Sequence, residues 1–122
     1  MRLVLPILFA LTLVSPLAAT THHARPSGPN SLRSVLASVN NGDTVVVGTG
    51  VHRGDAYSIE RSITIVGTHG AVVDGGSSGR SIFFINADDV VIRGLTIRNV
   101  AVSYVDDNAA IKVMQRTRVR IE

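Results

Sequence analysis

The chain has 122 residues, 45% of them hydrophobic and 4% aromatic, with no cysteine, no tryptophan and a formal net charge of +3. Length allows one ordinary domain, and the apolar content excludes a disordered tail. Without cysteine there is no disulfide framework, no thiolate metal site and no cysteine nucleophile, although export remains compatible with that absence.

Arg2 is followed by an almost unbroken apolar run, Leu3 to Val14, and then by the small-residue stretch Ser15-Pro16-Leu17-Ala18-Ala19. That succession predicts a secretory signal peptide over residues 1–19. The run is shorter than the roughly 20 residues needed to span a bilayer. The expectation is therefore a periplasmic or secreted protein with no membrane span after cleavage. The arginines that remain are scattered singly and carry no interleaved aromatics, which argues against a nucleic-acid partner.

Residues 20–43 are expected to be a linker and a capping helix. Thr20 to Asn30, with His22-His23, Pro26, Gly28 and Pro29, favours extended or turning backbone. Ser31 is placed to cap a helix whose apolar residues Leu32, Val35, Leu36 and Val39 recur at helical spacing, and Asn40-Asn41-Gly42 stops it. Its apolar face needs a partner.

From Thr44 to the last residue the period changes to two. The bursts Thr44–Val47, Ser62–Val66, Ala71–Val73, Ser81–Ile85, Asp89–Ile92, Leu95–Ile97, Ala110–Val113 and Arg118–Ile121 are separated by Gly, Asp and Asn. Ser81–Ile92 aligned with Ala110–Ile121 at an offset of 29 pairs Ile82 with Ile111, Phe84 with Val113, Val90 with Val119 and Ile92 with Ile121. Val45/Val47 and Ile63/Ile65 carry the same signal upstream, giving starts 18, 27 and 29 residues apart. Repeats of that length, with variation absorbed in turns, imply a solenoid. Gly67, Gly94, Asn99 and Asp74-Gly75-Gly76 fall where its corners would be.

The predicted fold is all-β: a right-handed single-stranded parallel β-helix of the pectin-lyase-like kind, its open N-terminal end covered by the short helix. Residues 44–122 are its first coils, incomplete at the C-terminus. A β-sandwich is disfavoured by the in-phase repeat. The edge left by Val119 and Ile121 predicts self-association of the isolated chain.

The segments SLRSVLASVNNGDTVVVGTGVHRG, SITIVGTHGAVVDGG and GRSIFFINADDVVIRGLTIRNV resemble the NosD family of periplasmic β-helix proteins, across about residues 31–121. DDNAAIKVMQRTRVRIE is similar to that family's next coil. The resemblance implies a periplasmic accessory that works with an ABC transporter and helps supply or assemble the copper sites of nitrous oxide reductase. Related polysaccharide-binding or polysaccharide-degrading β-helix proteins share the Gly-Asp start and the VVIRGL-type coil. An active site beyond residue 122 is then the alternative.

For copper the residues offer one methionine after the leader, Met114, and four histidines. His52 and His69 read as single turn residues facing water. Cleavage after Ala19 would give Thr20, Thr21 and His22 an α-amine, two backbone amides and a third-position imidazole, a tetragonal four-nitrogen set suited to Cu(II). No catalytic residue is expected. The outward positions Val46, Thr64, Val91 and Arg120 include no carboxylate, while Asp88-Asp89 and Asp106-Asp107 read as solvated turn acids. Arg93, Arg98, Lys112 and Arg120 could form a weakly basic strip.

Overall fold

The computed structural model describes residues 18–77, 79–103 and 107–122, so the expected leader up to residue 17, and Asp106, lie outside the described residues. Among the described residues, three parallel sheets wind into a β-solenoid of about four turns with one short helix. β1 (Thr21–Ala24) and α1 (Leu32–Ser38) stand at the start. The first full coil is β2 (Thr44–Val47), β3 (Gly50–Arg53) and β4 (Tyr57–Ile59). The second is β5 (Thr64–Gly67), β6 (Ala71–Asp74) and β7 (Phe83–Ile85). The third is β8 (Val91–Arg93), β9 (Thr96–Arg98) and β10 (Ile111–Val113), and β11 (Arg120–Ile121) begins another.

Sheet A stacks β1-β2-β5-β8-β11, sheet B stacks β3-β6-β9 and sheet C stacks β4-β7-β10. In sheet A the register aligns Val45, Ile65, Ile92 and Ile121, and the first three are buried. This inward row is the spine of the core. Preceding it by two residues, Ile63, Val90 and Val119 form a second row, because Thr64, Val91 and Arg120 are in register. In sheet C, Tyr57, Phe83 and Ile111 stack, with the Tyr57 and Phe83 ring centroids 5.4 Å apart.

The solenoid expectation holds; parts of its register do not. Val45 aligns with Ile65 rather than Ile63, so the first coil spacing is two residues longer than the alternation suggested. A shift of two leaves every side chain on its own face, so periodicity cannot detect it. Val113 aligns with Ile85 and Ile111 with Phe83, one residue away from the expected pairing with Phe84 and Ile82. Ile82-Phe83-Phe84-Ile85 is apolar throughout and carries no phase. One extra residue between Val113 and Val119, relative to Ile85 and Val90, then restores the offset of 29 in sheet A.

Thr21–Ala24, expected as linker, is the first strand of sheet A, with Thr21 opposite Thr44 and Ala24 opposite Val47. α1 is capped by Ser31, whose hydroxyl accepts the Ser34 N–H, and it buries Leu32 and Val35. Arg33 leans from α1 over the Tyr57 ring, 4.7 Å from its centroid, and donates to the Asp55 carbonyl. The helix thus covers the first coil as expected.

Gly67 and Gly94 stack at the corner between sheets A and B. A Cβ on Gly67 would lie 2.3 Å from the Gly94 carbonyl oxygen, and Gly94 has φ +71. Both glycines are fixed by this contact, one by space and the other by conformation. Gly67→Ala is expected to lower unfolding free energy by about 3 kcal/mol, because backbone cannot yield as a side chain can. Phe83→Ala, which empties the centre of the aromatic stack, is expected to cost about 4 kcal/mol. Urea denaturation of the two variants checks both, and a loss near zero for Gly67→Ala would refute the corner contact.

Candidate functional site

The residues singled out for chemistry gather at the N-terminal junction, where β1, the segment after α1 and the start of β2 meet. Asp43 is the centre of that junction. It takes the place in the inward row that Ile63, Val90 and Val119 hold in later coils, since Thr44 aligns with Thr64 and the Thr64 N–H donates to the Asp43 carbonyl. It is only 3% exposed. Thr20 N–H donates to its Oδ1 at 2.9 Å, Asn40 N–H donates to Oδ2 at 2.9 Å, and His22 Nε2 lies 2.9 Å from Oδ2. An ionised carboxylate only accepts, so the His22 ring presents Nε2–H to it.

The amide of Asn40, then that of Thr20, and then the His22 ring hold the Asp43 carboxyl down to about 2, against burial that pulls the other way. A groove of about 440 Å³ opens beside it, lined by His22, His23, Arg25, Ser34 and Ser38 among others. Thr20, Thr21 and His22 therefore do come together, but as an extended strand held on a carboxylate. A four-nitrogen copper set must wrap the backbone around the metal. Wrapping it would take Thr20 off Asp43 and β1 off β2, whereas the Nε2–H bond from His22 to a carboxylate is one that a metal-bound imidazole also makes. The backbone of the docked strand is extended rather than wrapped in that way. Among the described residues no group of three or more His, Asp or Glu side chains is arranged to hold a metal ion.

The other histidines divide. His69 is exposed in a turn, whereas His52 is buried at 2% in β3, contrary to the expectation that it faces water. Its neighbours in register are Val73 and Ile97, and Val51 takes the outward place beside Val72 and Thr96. The ring is accommodated because Nε2–H donates to the Gly48 carbonyl at 2.7 Å, while Nδ1 has no hydrogen-bond partner among the described residues.

The acids brace coils together. Asp74, 3% exposed at the end of β6, accepts from the Asn99 side chain, the Gly76 amide and Arg98 Nε, and Arg53 stands 3.9 Å away. Those donors, the Asn99 amide first, hold its carboxyl down to about 2. Asp88 accepts the Thr117 N–H, and Asp89 pairs with Arg118, which lowers the one group and raises the other. Glu60 accepts from Ser58 and Asn86, and Glu122 from Arg120.

The basic residues do not form one strip. Arg93 and Arg120 project from sheet A, Arg98 from sheet B onto Asp74, and Lys112 from sheet C. Sequence reasoning missed Asp43 because a Gly-Asp pair before a strand reads as a turn. The signal lay in its position, two residues before Val45, where later coils have Ile63 and Val90. No helix among the described residues is long and apolar enough to cross a membrane. No family model, no curated protein and no solved structure matches the chain.

Asp43 and Asp74 titrate at about 2 in the folded chain against an ordinary 3.8. The stability they contribute is thus fully present above about pH 4 and lost as pH falls through about 2. The urea midpoint is expected to hold between pH 7 and 5 and to decline from pH 4 downward, with a shallower decline in Asp74→Asn. A midpoint that stays level between pH 4 and 2 would count against both bracing roles.

Proposed function

We propose that the chain is the solenoid module of an exported, non-catalytic accessory of the NosD type. It acts in the periplasm, or after secretion, with an ABC transporter, and assists delivery of copper as cargo to nitrous oxide reductase or assembly of that enzyme's copper sites. The observation that carries the non-catalytic reading is the use of Asp43, Asp74, Asp88, Asp89 and Glu60 as hydrogen-bonded braces between or within coils. Asp43 and Asp74, each held by several donors at low pKa, are poor general acids or bases near neutral pH, and the other three are engaged as hydrogen-bond acceptors. The NosD assignment is supported by the three resembling segments, which fold as successive pieces of one solenoid: α1 with β2 and β3, then β5 with β6, then β7 to β9.

Deletion of the reading frame in its host is expected to leave nitrous oxide reductase exported but poor in copper, with occupancy restored by the full chain in trans. Metal analysis of the purified reductase is the measurement. Full occupancy in the deletion strain, or a host without that reductase, removes the NosD reading.

A polysaccharide-acting solenoid is the second reading, and one feature favours it. Phe84 projects outward between Ser58 and Lys112, beside Arg80 and Asn108 in a groove of about 340 Å³. An aromatic face flanked by cations suits an acidic sugar ring. Calorimetric binding of polygalacturonate by the chain, weakened in Phe84→Ala, would move the assignment to this class.

A further inference from the structure

The donor at Asp43 Oδ1 is the backbone nitrogen of Thr20, the residue that follows the small, exposed pair Ala18-Ala19. We propose that Asp43 is a built receptor for a new chain terminus: hydrolysis between Ala19 and Thr20 converts this N–H into an ammonium that pairs with the Asp43 carboxylate and locks β1 onto the solenoid. The inference rests on the export reading, with its cleavage after Ala19, and adds a structural consequence to it.

The chemistry needs only water and an endopeptidase that accepts small residues. Water oxygen bonds to the Ala19 carbonyl carbon, the carbon–nitrogen bond breaks, and the products at neutral pH are the Ala19 carboxylate and the Thr20 ammonium. The nitrogen already stands 2.9 Å from Oδ1, so the charge appears where its partner waits. One ammonium hydrogen keeps the present direction, and the other two meet solvent, because Thr20 is exposed.

The carboxylate itself is only 3% exposed, so it is shielded from the solvent that weakens surface ion pairs. A charged donor makes a stronger bond than the neutral amide it replaces. Thr20 is also tied to the first full coil through its own carbonyl, which accepts the Thr44 N–H. The lock therefore closes on a strand that is already in register.

The lock gives leader removal a direct effect on the cap. Before cleavage the chain runs on past Thr20, and the junction holds only neutral donors and the His22 ring. After cleavage the first residue of the chain is the one that clamps Asp43. The same pairing occupies the amine, so N-terminal chelation would have to strip Thr20 from Asp43 and β1 from sheet A first.

Two measurements test this. The full chain expressed in an exporting host is expected to yield a secreted product whose intact mass begins at Thr20; a product beginning elsewhere overturns the inference while leaving export standing, whereas no exported product overturns both. Chains beginning at Thr20 and at Ala18, each released from a fusion with a native terminus, are then compared in urea. The Thr20 chain is expected to have the higher midpoint, and Asp43→Asn to erase the difference. Equal midpoints in the two unsubstituted chains overturn the lock, and that comparison does not depend on the variant folding.

Discussion

The inward row of sheet A is the constraint on which the rest of the molecule depends. Val45, Ile65, Ile92 and Ile121 must fall at the same angular place on successive coils, because a parallel pair that slips by one residue turns its apolar side chains outward. Once that row is fixed, the chain between rungs is free to vary in length. The corners absorb the variation with left-handed backbone: Asp89 and Arg118, both at positive φ, occupy equivalent corners and pair with each other. The Gly67–Gly94 contact is the same constraint expressed as a lack of space.

What could be read from the sequence follows from that hierarchy. In sheet A, β2, β5, β8 and β11 were legible because their inward residues are aliphatic, but β1 read as linker and the β2–β5 register lay two residues away. In sheet C, β4 was not expected, and β7 and β10 were legible as strands but not in phase: Ile82 to Ile85 is apolar without a break, and a run without alternation fits two registers equally well. Sheet B was half hidden. β6 and β9 show their valines and isoleucines, but β3 carries Gly50 and His52, and no pattern rule assigns an imidazole to an interior row. Only the register with Val73 and the hydrogen bond to Gly48 explain why it sits there.

The chemistry was less legible than the fold, for a related reason. Residue type suggested Thr20, Thr21 and His22 as a chelate, and the three are indeed adjacent in space. Their surroundings decide what they do, and those come from Asp43 and Asn40, about twenty residues on. A chelating tripeptide and a docked strand are two uses of the same backbone, and the uncleaved chain forms the strand. Acids read only as corner or turn residues are likewise defined by distant partners: Asp74, at an expected corner, by Arg98 and Asn99, and Asp88, an expected solvated turn acid, by Thr117.

The end rung of the solenoid explains why an acid stands in an aliphatic row. Ile63 and Val90 have a coil on either side, so an apolar side chain meets apolar neighbours in both directions. Asp43 has Ile63 on one side and, on the other, the backbone that arrives from β1 and leaves α1. That backbone presents the N–H groups of Thr20 and Asn40. A valine at this rung would leave both donors without their acceptor, whereas a carboxylate receives both and the His22 ring as well, which offsets the cost of burying its charge. The cap helix, seven residues long, is too short to hold itself in place. It is held by Leu32 and Val35 against the first coil, by Arg33 on Tyr57, and by the Asn40 amide on Asp43, so one acid closes the core and anchors its lid.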